Sequence, residues 1–228
     1  TSHLLIVNIF LYKNKKIVGI ILARSKSKRL PNKNELNLNE KPLFYWTLKA
    51  AKKSKYLDKI IVSTDSKKII SYIKEESYTQ IIIRPKNLRG DNVTTEKVIL
   101  DTISKKKLLN NIIVVLQPTS PLRKSNDIDN ALKKMIDKKE NFIVSACFKK
   151  KIGKNMIEVK KGYFKKIKKG LSGYALNGAI YAAEVAHFKK SKTFLTKKTM
   201  IFRMPISRSI DIDTIEDFNL AKSLFKKK

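Results

Sequence analysis

Five of the ten residues from 24 to 33 are cationic: Arg24, Lys26, Lys28, Arg29 and Lys33, inside the stretch LARSKSKRLPNKN at 22–34. Held on one turn they repel one another, and a polyphosphate facing them relieves that repulsion. Arg24 can fork across two oxygens, while Lys33 offers a compact point charge. The turn follows a greasy strand, at the carboxyl edge where open α/β sheets keep their ligands, and its backbone N–H groups add to an anion cradle. Neither a P-loop nor a GxGxxG motif occurs, so ordinary ATPase and dinucleotide readings lose support. A plain solvated turn accounts for Lys26 and Lys28. Near the far end of the chain, SIDID at 209–213 reads as a strand. Residues two apart on a strand share a face, so Asp211 and Asp213 project together while Ile210 and Ile212 point into the core. Adjacent carboxylates repel, and Mg²⁺, which takes one or two carboxylates with phosphate oxygens, cancels that cost. The same residues also read as a helix start, with Asp213 or Thr214 as N-cap and Asp217 in the first turn.

The elements that must position these groups follow from apolar periodicity. Strands are predicted at 16–23, 59–64, 80–84, 111–117 and 141–148, several of them apolar on both faces, as when helices cover both sides of a sheet. Helices are predicted between them at 42–54, 66–76, 94–106 and 126–139. This alternation predicts an α/β fold with a mostly parallel sheet. From 149 to about 176 the rhythm becomes short, apolar and basic residues alternating around glycines, which reads as a hairpin on an excursion. A strand at 178–183, a short helix near 184–190, a strand near 199–204 and a final helix complete the pattern. One domain, 17–228, is expected after an N-terminal extension at 1–16.

At 228 residues, 42% of them hydrophobic, the chain can bury a real core. Its opening apolar run is about nine residues long without a basic flank or a small-residue cleavage site, so it does not read as a signal peptide. No apolar run reaches the ~20 residues of a membrane span. A single cysteine, Cys147, excludes an intrachain disulfide framework, reads as a buried strand thiol and suits a reducing cytoplasm. The net charge is +32, from 51 basic and 19 acidic residues. Such a balance invites a nucleic-acid or other polyanion partner. Yet the lysines are spread over nearly every element, beside abundant Ile and Asn, and no stacking aromatics interleave them. No specific nucleic-acid partner and no membrane are expected.

The loop at 22–34 resembles the nucleotide loop of sugar-activating cytidylyltransferases, in particular the acylneuraminate type that makes CMP-sialic acids. IIVSTD (60–65), RPKNLRGDNVTT (84–95), LQPTSPLR (116–123), NGAIY (177–181) and SIDID match in the same order. The resemblance implies a Rossmann-like nucleotidyltransferase, a three-layer α/β/α sandwich that converts CTP and an acidic nine-carbon sugar into the CMP-sugar and pyrophosphate with Mg²⁺. It implies that Arg24 and Lys33 hold the triphosphate with Ser25 and Ser27, that Asn34 meets the ribose, and that Arg84, Val93 and Thr95 border cytosine and ribose. It places Gln117, Asn177, Tyr181 and Phe194 around the sugar and Asp211 and Asp213 on the metal, with Asp211 helping to deprotonate the incoming hydroxyl. For Asn177, Tyr181 and Phe194 a turn or core role stands equally open, and Arg123 is open between a structural role and pairing with an acid.

Two departures bear on the sugar. Arg29-Leu30-Pro31 replaces a glycine-containing turn and resembles the loop of the Kdo and pseudaminic acid enzymes, of which the Kdo enzymes lack QPTSPLR and NGAIY. The arginine-bearing segment that the family carries before NGAIY has no counterpart in KKIKKGLSGYAL (165–176), where Lys168 and Lys169 are the nearest cations. The expectation is therefore a sialic, legionaminic or related nonulosonic acid, a homodimer built on the excursion, and as alternatives a Kdo or pseudaminic acid enzyme or a non-catalytic polyanion binder.

Overall fold

The computed structural model describes residues 15–73, 79–149, 156–166 and 173–226. The predicted extension therefore lies outside the described residues except at Lys15 and Lys16, as do Lys168 and Lys169 and the end of the helix predicted at 66–76. Among the described residues no helix is long and apolar enough to cross a membrane.

Four β-branched runs form parallel strands: β1 (Lys16–Leu22), β4 (Lys59–Thr64), β5 (Thr79–Ile83) and β6 (Asn111–Leu116). Between β1 and β4 the chain makes a two-residue antiparallel pair, β2 (Asn37–Leu38) and β3 (Lys41–Pro42), turned by Asn39 and Glu40 at positive φ. Helices α1 (Leu43–Lys52), α2 (Lys67–Ile73), α3 (Thr95–Lys105) and α4 (Ser125–Asp137) occupy the predicted intervals. Beyond them come β7 (Phe142–Lys149), the hairpin β8 (Met156–Lys160) and β9 (Tyr163–Lys166), β10 (Gly173–Glu184), α5 (Val185–Ser191), β11 (Met200–Arg203) and α6 (Ile215–Lys226). All strands except β2 and β3 join one sheet, ordered β5-β4-β1-β6-β10-β7-β11-β9-β8.

The fold is α/β, but the sheet is mixed rather than mostly parallel. β10 runs antiparallel to both β6 and β7, and the hairpin adds antiparallel ladders to β10 and β11. A strand apolar on both faces reads the same in either direction, which is why the pattern did not carry the sense of β10. Alternate residues of β1 feed two cores: Ile17 and Ile21 pack with α1, α2 and α4, while Val18 and Ile20 pack with α3 and α5. Cys147 is buried in β7.

A third, smaller cluster matters most for the site. Leu30 from the cationic turn, Leu38 and Leu43 pack with Ile212, Phe218 and Ala221. Burying these side chains is worth roughly 1.5–3 kcal/mol each, and it clamps the 22–43 segment against the stretch that carries SIDID. SIDID itself is not a sheet strand; one backbone bond, Ile212 N–H to the Thr119 carbonyl at 2.8 Å, ties it to the loop after β6. Burial still alternates there, with Ile212 fully enclosed between two more open aspartates. The predicted helix start is Thr214: its hydroxyl accepts from the Asp217 N–H, and the Asp217 carboxylate accepts from the Asp213 and Thr214 N–H groups.

Candidate active site

The loops after β1, β5 and β6 surround a cavity of about 220 Å³. Arg24, Ser27, Lys33 and Asn34 line it from the first loop, Arg84, Val93 and Thr95 from the second, and Gln117 and Thr119 from the third. Its cations are already engaged. Arg24 is held at 2.7 Å by Asp91 and donates to the Gly90 carbonyl at 3.1 Å. Lys33 Nζ donates to Asp213 Oδ1 and to the Ile212 carbonyl, both at 3.0 Å, and Arg29 takes the second oxygen of Asp213 at 2.7 Å. The cation turn and the acid pair therefore face one another directly.

Two side chains in this wall each keep one buried atom unpaired among the described residues. Asn34 donates its amide to the Arg24 carbonyl at 2.9 Å, but its buried Oδ1 accepts from no described residue. Arg84, almost wholly buried, donates to the Ser63 carbonyl at 3.1 Å and leaves Nε unpaired among the described residues. Burial pulls its pKa down to about 10, with Asp65 opposing and Arg24 reinforcing the fall. Unpaired buried polar atoms each cost ~1–3 kcal/mol, a cost that a hydrogen-bonding partner removes. Ser25 does not line the cavity: its N–H and hydroxyl are turned onto Asp65 at 2.8 and 2.9 Å. Burial pushes the Asp65 carboxyl up, but these two bonds and nearby Arg89 leave it below its ordinary value.

A second hollow of about 160 Å³ shares Thr95 and Gln117 with the first. Its wall is mainly Val115, Leu176, Tyr181, Phe194 and Leu195. Phe194 is buried, its ring centroid 4.6 Å from Phe188 and 5.6 Å from Tyr181, so it is both wall and core. Asn177 lies outside this hollow. It accepts from the Ser145 hydroxyl at 2.6 Å and donates to the Ser209 hydroxyl at 2.9 Å, pinning the start of SIDID to β10 and β7. Arg123 lines neither of these hollows; it is buried and donates to the Ala179 carbonyl at 2.8 Å.

Asp211 lines neither hollow but acts on a lining residue of each, Thr119 of the first and Tyr181 of the second. Burial raises its carboxyl pKa; a hydrogen bond with the Thr119 side chain opposes this, and neighbouring Asp213 adds to the rise. Across from it, burial and then Asp211 itself push the Tyr181 phenol up, so the phenol stays protonated. Gly178 makes this meeting possible. Its φ of +69° suits glycine, and a Cβ there would sit 2.9 Å from Gln117 Oε1 and 3.4 Å from Asp211 Oδ2. Sequence reasoning passed over Gly178 as a turn glycine. It also passed over Glu96, the acid of the second hollow, because a glutamate in a helix's first turn is ordinary.

Residues 18–226 match the family model described as Cytidylyltransferase. The chain belongs to the cytidylyltransferase family. It is 33% identical over 223 residues to the N-acylneuraminate cytidylyltransferase of Escherichia coli O18:K1:H7, covering 93% of this chain and 53% of that protein. It is 30% identical to the CMP-N,N'-diacetyllegionaminic acid synthase of Legionella pneumophila, covering 92% of this chain and 97% of that one. The chain spans about half the length of the first curated relatives it matches. In fold, this cytidylyltransferase chain is similar to a CMP:2-keto-3-deoxy-manno-octonic acid synthetase complexed with CTP, with a TM-score of 0.73 at 17% identity over 93% of this chain and 99% of that one.

Proposed function

We propose that this cytidylyltransferase activates an acidic nine-carbon sugar of the sialic, legionaminic or related nonulosonic type with CTP, giving the CMP-sugar and pyrophosphate. The observation that carries this reading is the meeting of two hollows at Thr95 and Gln117, one charged for a nucleotide and one apolar for a sugar's substituents, with Asp211 hydrogen-bonded to Thr119 of the first. In the reaction the anomeric oxygen attacks the α-phosphorus, the bond to the β-phosphate oxygen breaks, and pyrophosphate leaves with that electron pair. The protein's work is positioning and charge neutralisation. Arg24 leaves Asp91, and Lys33 turns from Asp213, to hold the triphosphate and then the leaving pyrophosphate. The open Oδ1 of Asn34 accepts from a ribose hydroxyl, and Arg84 offers its free Nε toward the base.

Asp211, its carboxyl pKa raised by burial, takes the proton of the incoming hydroxyl. The acid pair fits Mg²⁺, since a buried carboxylate crowded by a second one gains from a dication with oxygen preference. Bound there, the ion would polarise the α-phosphate. A three-layer sandwich, a homodimer through the β8–β9 hairpin and work in the cytoplasm complete the proposal. The apolar, aromatic second hollow favours an acylamino-bearing acid over Kdo.

Incubation with CTP, Mg²⁺ and a panel of sugar acids, followed by pyrophosphate release, tests the reading. Turnover with a nonulosonic acid is expected. Turnover with Kdo alone would transfer the chain to the rival sugar, and CTP-independent, tight binding of DNA or heparin without any turnover would favour the polyanion binder.

A further inference from the structure

A third hollow, of about 500 Å³, shares no lining residue with the other two and lies between α1, the start of α4 and the end of α6. Its wall combines cations with aromatic surface. Lys49 and Lys53 come from α1 and its end, Lys124 and Arg123 from the approach to α4, and Trp46 and Phe225 meet with ring centroids 4.6 Å apart. No acidic side chain lines it among the described residues. The first-turn N–H groups of α4, at Ser125 and Asn126, have no intrahelical partner and add positive potential.

A second observation makes this more than a helix end. Arg123 is only 3% exposed, and although Nη1 is satisfied, its Nε and Nη2 pair with nothing described. Asp127, the acid that acts on it, is spent elsewhere: it accepts from Arg208 at 2.7 and 2.9 Å and from the Lys124 N–H at 2.9 Å. Burial lowers the Arg123 pKa to about 9, a cost that an adjacent anion offsets.

We propose that this hollow is a second, non-catalytic phosphate site, taking a small phosphorylated compound whose apolar part lies along Trp46 and Phe225. It goes beyond the proposed reaction. Its connection to that reaction is the 117–123 loop, whose beginning lines the nucleotide cavity and whose end lines this one.

Trp46 is the only tryptophan, and Lys49 Nζ sits 5.1 Å from its ring centroid, so an anion that draws Lys49 away changes the emission. The test titrates inorganic phosphate and CMP into the full chain at constant ionic strength and follows tryptophan fluorescence. The expected result is a saturable change with half-saturation at or below ~1 mM, retained in Lys33→Ala and weakened at least ~10-fold in Lys53→Glu/Lys124→Glu. Both of those lysines are exposed, so the double variant folds. Tighter binding of CMP identifies a ring-bearing ligand; equal binding identifies the bare phosphate group. No saturable change, a change lost in Lys33→Ala, or one indifferent to Lys53→Glu/Lys124→Glu would overturn the proposal.

Discussion

The two neighbouring hollows are built on opposite principles. The first sits at the ends of parallel strands and is full of charge, yet Arg24 in it is held by Asp91, and Lys33 and Arg29 by Asp213. The second is bounded by antiparallel β10 and the 193–195 segment and is mostly hydrocarbon, its shape set by packing among Tyr181, Phe188 and Phe194. A charged site held in place by internal ion pairs can exchange them for a ligand's. An apolar site has no such stand-ins, so its selectivity is fixed by the core. Asp211 belongs to neither wall and answers to both.

Changes at that junction should have the largest effect. Asp211→Asn is expected to lower turnover at least ~10²-fold with the fold intact, as for an electrostatic catalytic element. Because burial raises the Asp211 pKa, the folded state holds its proton more tightly than the unfolded one, so this group's contribution to stability falls as pH rises through the carboxylate range. The variant should therefore gain melting temperature relative to the parent between about pH 4 and pH 7, which paired thermal melts would check. A near-normal rate would take Asp211 out of the chemistry.

On the charged side, Lys33→Ala should raise the KM for CTP by ~10- to 100-fold, the worth of a hydrogen bond to a charged group, while the sugar KM moves little. On the apolar side the converse is expected. Glu96→Ala should raise the sugar KM about fivefold, as for one ordinary hydrogen bond, and leave the CTP KM in place. Equal shifts in both constants from either variant would dissolve the distinction between the hollows. Smallest of all, Asp91→Asn should lower the KM for CTP ~2- to 5-fold, since it frees Arg24 from a half-exposed ion pair. Initial-rate kinetics would read that difference.

Much of the charged hollow was legible because it is local. The spacing of cations after a strand, and of two aspartates around an isoleucine, carries its own chemistry. Long-range packing decides the rest. Leu30 and Ile212 are ordinary apolar residues until the third cluster joins them, and that contact, rather than a strand, aims SIDID at Lys33. Ser25 and Asn177 have the polarity of ligand-binding residues, but Asp65 and Ser145 reach them first. The importance of Gly178 lies in two side chains crowding its α-carbon, Gln117 and Asp211, which no local pattern announces. The helices of the first half followed from their periodicity, whereas the sense of β10 depends on which edge of the sheet remains open when the chain returns.

Diffraction from crystals of the protein grown with CTP and Mn²⁺, the latter located by its anomalous signal, would bear most directly on the proposed chemistry. The triphosphate is expected along Arg24 and Lys33, both released from their aspartates, with manganese at Asp211 and Asp213. A nucleotide bound elsewhere, with Lys33 still on Asp213 and no metal between the acids and the phosphates, would contradict it.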